Sequence, residues 1–318
     1  MIEPTLLDLR VSVNDRSAFD SLEDYRVLAH AYLSYLQRVP PTRILSPARP
    51  HYIFFQYGEE HGHRITRPLN TNLLFEDAAA FNAAFDRFLT FLSDLARHED
   101  RIVDQPGVEA FLLTREIDRI IYTVQQSAGC IADAFSDANQ ARKRIGQIFE
   151  KLVNLVMRAI GLDCEPRTIR LPVTGFPGYT MSYELDLVFS RAGAIVTRET
   201  RTLHPDEIVG SVKTTSKDRI DKIFLDKYLL TKLLGRDVPV VALFLHDVQR
   251  AQRGQSIFGI NSTFKSNHFL GYTVALNRLD GVYYIDLAPE MMANALLQAE
   301  IRDFQRFLVE DVWRLLKP

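Results

Sequence analysis

A chain of 318 residues with 47% hydrophobic content has apolar material for one large or two modest globular cores. Its formal net charge is −2 and 25% of its residues are charged, which excludes a protein that coats nucleic acid through a global positive field but leaves local basic patches open. Two cysteines, Cys130 and Cys164, lie outside any CxxC spacing, the N-terminus lacks a charged-then-apolar signal pattern, and no run approaches the roughly 18 apolar residues of a bilayer span, so a reduced, soluble, cytoplasmic protein is expected.

In chain order, SLEDYRVLAHAYLSYLQRV (21–39) predicts a helix, with Ser21 as N-cap and Pro40-Pro41 as stop. HYIFFQYG (51–58) predicts a strand, and HGHR (61–64) reads as a loop, because two close histidines without further ligands do not make a metal site. Residues 75–99 predict a long helix whose phenylalanines, three or four apart, belong to a core. Residues 108–135 predict one or two more helices. The first 135 residues therefore read as a mainly helical lobe.

From residue 136 the pattern changes. A helix over 142–162, closed by Gly161, is followed by strands over 180–191, 195–200 and 207–214. A helix over 216–235, again closed by glycine, leads to VPVVALFLHD (238–247), an apolar run suited to a strand buried on both faces. Residues 272–279 and 282–287 suggest a hairpin around Asp280-Gly281, and a last helix covers 289–315. Residues 136–318 thus predict an α/β (α+β) domain with a central sheet between helices.

Within this domain, strand alternation puts Glu184 and Asp186 on one face, and Ser211 and Lys213 on one face. If the two strands are neighbours, Asp186 and Lys213 converge. A carboxylate beside a lysine suits phosphodiester hydrolysis: the carboxylate can hold Mg²⁺, and the ammonium can stabilise the transition state or place the attacking water. Mg²⁺ takes one or two protein carboxylates. Ser211 occupies the position where the second might be sought, which leaves Asp226 on the following helix, with Glu150 on the earlier helix as a third. Taken singly, each of these residues is more often a strand-end or surface residue with a local partner than part of a site.

The series ELDLVF…SVKTTSKDR…D resembles the PD-(D/E)XK nuclease superfamily. It is most similar to the branch of type II restriction endonucleases (EcoRII-like and NgoMIV-like) that cut CCGG, CCNGG and related sites. In that branch the acid next to the lysine is commonly lost, and a carboxylate about 13 or 14 residues downstream takes its role; here Lys213 plus 13 is Asp226. The branch also has a K-T-T-x-[KR]-[DE]-R run, matched by Lys213 to Arg219. The resemblance implies a restriction-endonuclease-like mixed sheet, Asp186 and Asp226 as Mg²⁺ ligands, Lys213 as catalytic lysine and Glu150 as a supporting acid. It also implies double-stranded DNA as substrate and a homodimer or tetramer. Leu185 stands where proline is common, and the migrated acid is aspartate rather than glutamate.

The triplet Lys217-Asp218-Arg219 is expected in the first turn of its helix, capped by Thr215 or Ser216. There, lysine and arginine can bond guanine and the aspartate cytosine. Gln249, Arg250, Arg253, Asn261, Lys265 and Asn267 in the polar segment 246–269 can contact bases or phosphates. The expected activity is that of a site-specific deoxyribonuclease. The rivals are a structure-specific or repair nuclease of the same fold, a DNA-binding protein with a decayed site, and an unrelated α/β protein.

Overall fold

The computed structural model describes residues 4–47, 49–135, 138–195, 202–217 and 219–316. The chain divides into two units. The first comprises Met1–Phe91, Glu109–Leu152 and Asp247–Thr263; the second comprises Leu92–Val108, Val153–His246 and Phe264–Pro318.

The first unit opens with helices α1 (Leu6–Asn14) and α2 (Leu22–Arg38). Each starts on a capping box. At α2 the Ser21 amide donates to Asp24 Oδ2 at 2.8 Å while Ser21 Oγ accepts from the Asp24 amide at 3.3 Å. A small antiparallel sheet follows, of β1 (Thr42–Leu45), β2 (Tyr52–Gln56) and β3 (Leu69–Asn70). Helix α3 (Ala78–His98) places Phe81, Phe85 and Phe88 in the core. After α4 (Val108–Leu113), helix α5 (Glu116–Asp133) is buried along nearly all its length. Helix α6 (Ala138–Ala159) carries the chain into the second unit, and Gly161 follows it at φ 86°, a left-handed conformation that suits glycine.

The second unit is built on a six-stranded sheet. Its strands are β4 (Leu162–Pro172), β5 (Thr180–Arg191), β6 (Ile208–Thr215), β7 (Val240–His246) and, after a return through the first unit, β10 (Gly281–Tyr284) and β11 (Ile301–Asp303). The first unit supplies β8 (Val248–Arg253) and β9 (Ser256–Ser262) between them. The sheet order is β11-β10-β7-β6-β5-β4. β6, β7, β10 and β11 run parallel, and β5 and β4 are antiparallel additions. β7 is apolar from Val240 to Leu245 because parallel neighbours flank it and both its faces are covered. Alternate residues separate two cores: Val188 and Tyr284 join the cluster with Phe224 of α7 (Ile220–Leu234) and Phe269 of α8 (Ser266–Ala275), whereas Phe189 and Tyr283 pack on Phe307.

The predicted fold class holds, and several elements differ. The segment 248–262 is a β-hairpin rather than a loop; its Val248 and Ile260 pack with Tyr52 and Phe54 in the first unit. No hairpin forms around Asp280-Gly281: residues 272–275 end α8, and β10 pairs in parallel with β7 and β11, sheet partners far away in sequence. The expected helix over 289–315 is broken by β11, with short helices before it and a helical run over 304–315 that includes a π-helical turn at Phe307–Asp311. β4 was not anticipated. Pro166 interrupts its alternation, which an edge strand with a bulge between Glu165 and Arg167 accommodates. All but the first residue of the strand expected over 195–200 lies outside the described residues. Among the described residues no helix is long and apolar enough to cross a membrane.

Candidate active site

The ladder between β5 and β6 runs from Phe189↔Ile208 to Leu187↔Gly210. One residue further on, a side chain takes over the pairing: Asp186 Oδ2 accepts from the Val212 amide at 2.9 Å and from Ser211 Oγ at 3.3 Å. Lys213 Nζ closes on the same oxygen. Ser211 therefore stands where an acid was sought, and it donates to the acid of the neighbouring strand. Among the described residues these three hydrogen bonds all fall on Oδ2.

β6 continues along β7 to Thr215↔His246 and then turns. The Lys217 amide donates to Thr215 Oγ1, and the amides of Arg219 and Ile220 donate to the Ser216 carbonyl. Helix α7 begins at Ile220 with Arg219 as its N-cap, and no side chain caps it. This corrects the expected start: Thr215 ends β6, Ser216 and Lys217 precede the helix, and Arg219 is its N-cap rather than part of its first turn. Gly235 closes the helix at φ 66° in the left-handed conformation.

Asp226, on α7, comes back over the end of the β5–β6 pair. A cleft of about 510 Å³ is lined by Asp186, Lys213 and Asp226 together with Tyr183, Arg219 and Lys222. Burial pushes the Asp226 carboxyl above the usual carboxylate range; Lys222, one helical turn earlier, opposes that, the charge of Asp186 adds to it, and Lys213 opposes it. Burial, and then the charge of Asp226, push the Tyr183 hydroxyl up. Among the described residues no cluster of three or more His, Cys, Asp or Glu is found. Asp186 and Asp226 supply two carboxylates to a cleft that Glu184 also lines, a set that fits Mg²⁺, whose other ligands are commonly waters and phosphate oxygens.

The other residues singled out in the sequence are distributed as follows. Glu150 is partly buried on α6 and belongs to the first unit. Lys217 and Arg219 are exposed, and Asp218 lies outside the described residues. Gln249 and Asn261 are cross-strand partners on the β8–β9 hairpin, where Arg250 and Arg253 are exposed. Lys265 is exposed as the N-cap of α8. Sequence reasoning missed Tyr183. A residue three before Asp186 on a strand is expected on the opposite face, so spacing gives no signal for it.

Neither family models nor curated proteins match this chain. Solved structures do. The type IIP restriction endonuclease Kpn2I superposes with a TM-score of 0.71 at 17% identity, over 98% of this chain and 98% of its own. PspGI, in complex with substrate DNA, gives a TM-score of 0.37 at 16% identity, over 74% of this chain and 92% of its own. Ecl18kI, metal-depleted and bound to uncleaved, modified DNA, gives 0.33 at 14% identity, over 98% and 84%. The likeness to Kpn2I establishes that this chain has a restriction-endonuclease fold.

Proposed function

We propose that this protein is a Mg²⁺-dependent, sequence-specific double-strand DNA endonuclease of the type II restriction class. The observation that carries the proposal is the Asp186–Lys213 pair at the end of the β5–β6 ladder, with Asp226 on the same cleft, in a restriction-endonuclease fold. Asp186 and Asp226 would hold the metal, which supplies charge neutralisation and an acidified water. Lys213 holds its ammonium against Asp186 and would stabilise a phosphodiester oxygen as negative charge builds there. Hydrolysis would leave 5′-phosphate and 3′-hydroxyl ends.

The recognition site is proposed to be a palindrome of CCGG or CCNGG type. Lys217, Asp218 and Arg219 are the proposed readers of its G·C pairs. Gln249, Arg250, Arg253, Asn261 and Lys265 are further candidates for contact with bases or phosphates. A palindrome calls for a two-fold dimer, or for a tetramer built from such dimers.

Plasmid digestion with Mg²⁺, followed by sequencing of the fragment ends, tests this reading. Discrete fragments sharing one end sequence are expected. A smear would point to a nuclease without a fixed site, and tight binding without cleavage to a DNA-binding protein.

A further inference from the structure

β4 and β5 run on together past the place where β6 leaves them. β6 pairs with β5 only from Phe189 to Leu187, whereas β4 stays with β5 as far as Thr180. Among the described residues, 180–185 therefore have β4 as their one strand partner, and the two strands form a ribbon. Its base is anchored: Ile169, Leu171 and Leu185 lie in the core with Ile223 of α7. Its wall is also the wall of the cleft, since Ser182, Tyr183 and Glu184 line that cleft beside Asp186.

The end of the ribbon is held by its own backbone. The amides of Val173, Phe176 and Tyr179 donate to the carbonyls of Tyr179, Val173 and Phe176 at 3.0, 3.0 and 3.1 Å. Gly175 and Gly178, both at φ 86°, turn the chain on either side of Phe176-Pro177. None of these bonds uses a side chain, yet the turn carries two large rings. Phe176 is 63% and Tyr179 is 70% exposed.

Charge and position indicate what this ribbon meets. Residues 168–183 hold one formal charge, Arg170, and no acid. Arg170 is exposed and has no ion pair among the described residues. It lies directly across from Ser182, and cross-strand partners share a face, so its guanidinium belongs to the flank of the cleft. An unneutralised guanidinium there suits a phosphate, and exposed rings beyond it suit an apolar surface. A DNA duplex offers both, as backbone phosphates and sugars, and its major groove admits a two-stranded ribbon. A duplex with one phosphodiester in the cleft must continue along the cleft's walls, one of which is this ribbon.

We infer that the β4–β5 ribbon is a DNA-contacting arm: Arg170 meets a backbone phosphate beside the cut position, and the rings of Phe176 and Tyr179 pack on the sugars that follow. The inference rests on the endonuclease reading. The contacts are to backbone, so they add affinity and placement equally on every sequence, unlike those proposed for Arg219.

The test compares wild type with Arg170→Gln and with the double variant Phe176→Ser/Tyr179→Ser, all in EDTA. Anisotropy measures binding of a duplex carrying the cut site and of an unrelated duplex, between about 50 and 200 mM salt. For Arg170→Gln the slope of log affinity against log salt should become shallower by about 0.9, the share of one phosphate, on both duplexes. The double variant should bind both duplexes about 10-fold more weakly, with the slope unchanged. In each variant the hydroxyl-radical footprint should shorten on one flank of the cut site, while melting temperature and sedimentation stay as in wild type. Variants that bind with wild-type affinity, slope and footprint overturn the inference. So does a double variant that sediments as a smaller species, which would assign the rings to a second copy of this chain. A wild type that neither binds nor cuts any duplex would overturn the endonuclease reading and this inference with it. A wild type that cuts, beside variants that bind equally well, counts against the ribbon alone.

Discussion

Two lysines of the second unit, Lys213 and Lys227, each bond an aspartate, and their surroundings differ. Lys227 is 3% exposed and bonds Asp280 Oδ2 at 2.6 Å; the same oxygen accepts from the Val240 amide at 2.7 Å. The Asp280 amide in turn donates to the Val240 carbonyl, so this pair pins α7 to the place where β7 and β10 begin. Lys213 is 29% exposed against Asp186, at the point where a ladder ends, and a second carboxylate shares its cleft. The same two residue types thus form a buried clamp in one place and a solvent-accessible cluster in the other. What separates them is burial of the ammonium: 3% exposed in one and 29% in the other.

The largest expected effect falls on the clamp. Asp280→Ala leaves the buried Lys227 ammonium only the exposed Asp237 carboxylate, 4.0 Å away, and should cost about 3–5 kcal/mol of unfolding free energy, read by denaturant titration. A cost under about 1 kcal/mol, the range of exposed pairs, would erase the distinction between the two sites. Asp186→Asn is the matching test in the cleft. It should lower single-turnover cleavage by at least about 10²–10³-fold, the scale of one preorganised electrostatic group, while the melting temperature moves little.

Arg219→Ala, at the mouth of the cleft, should leave folding intact and cost about 1–3 kcal/mol of discrimination at one G·C pair, measured by competition between cognate and single-substituted duplexes. The smallest effect is on stability at Asp226. Burial holds its carboxyl above the ordinary value of 3.8, so the folded state binds that proton more tightly than the unfolded chain does. Wild-type stability therefore falls as pH rises from the ordinary value through the folded one. Asp226→Asn, melted in EDTA, should match wild type below that window and exceed it above. A variant that is less stable at neutral pH would show that the carboxylate supports the fold instead of being strained by it.

Much of the cleft was legible because its geometry depends on short spacings. Alternation puts Ser211 and Lys213 on one face, and 13 residues carry the chain from Lys213 through a turn to the facing side of α7. The apolar run of β7 and the glycine that ends α7 were equally local signals. What was not legible depended on distant partners. β10 pairs in parallel with β7 across 35 or more residues, so residues near Gly281 that look like a hairpin turn lead into a sheet instead. β4 hid behind Pro166, which is tolerated because β4 is the edge strand among the described residues and a bulge absorbs it. Tyr183 reaches the cleft against simple alternation, which only a packed structure reveals.

The central claim is that the Lys213–Asp186 cluster with Asp226 hydrolyses DNA. Its most direct test compares wild type with Lys213→Ala on one duplex, with single-turnover cleavage in Mg²⁺ and anisotropy binding in EDTA measured side by side. The account predicts that cleavage is lost while specific binding and thermal stability are retained. A Lys213→Ala protein that still cuts at the wild-type rate would contradict it.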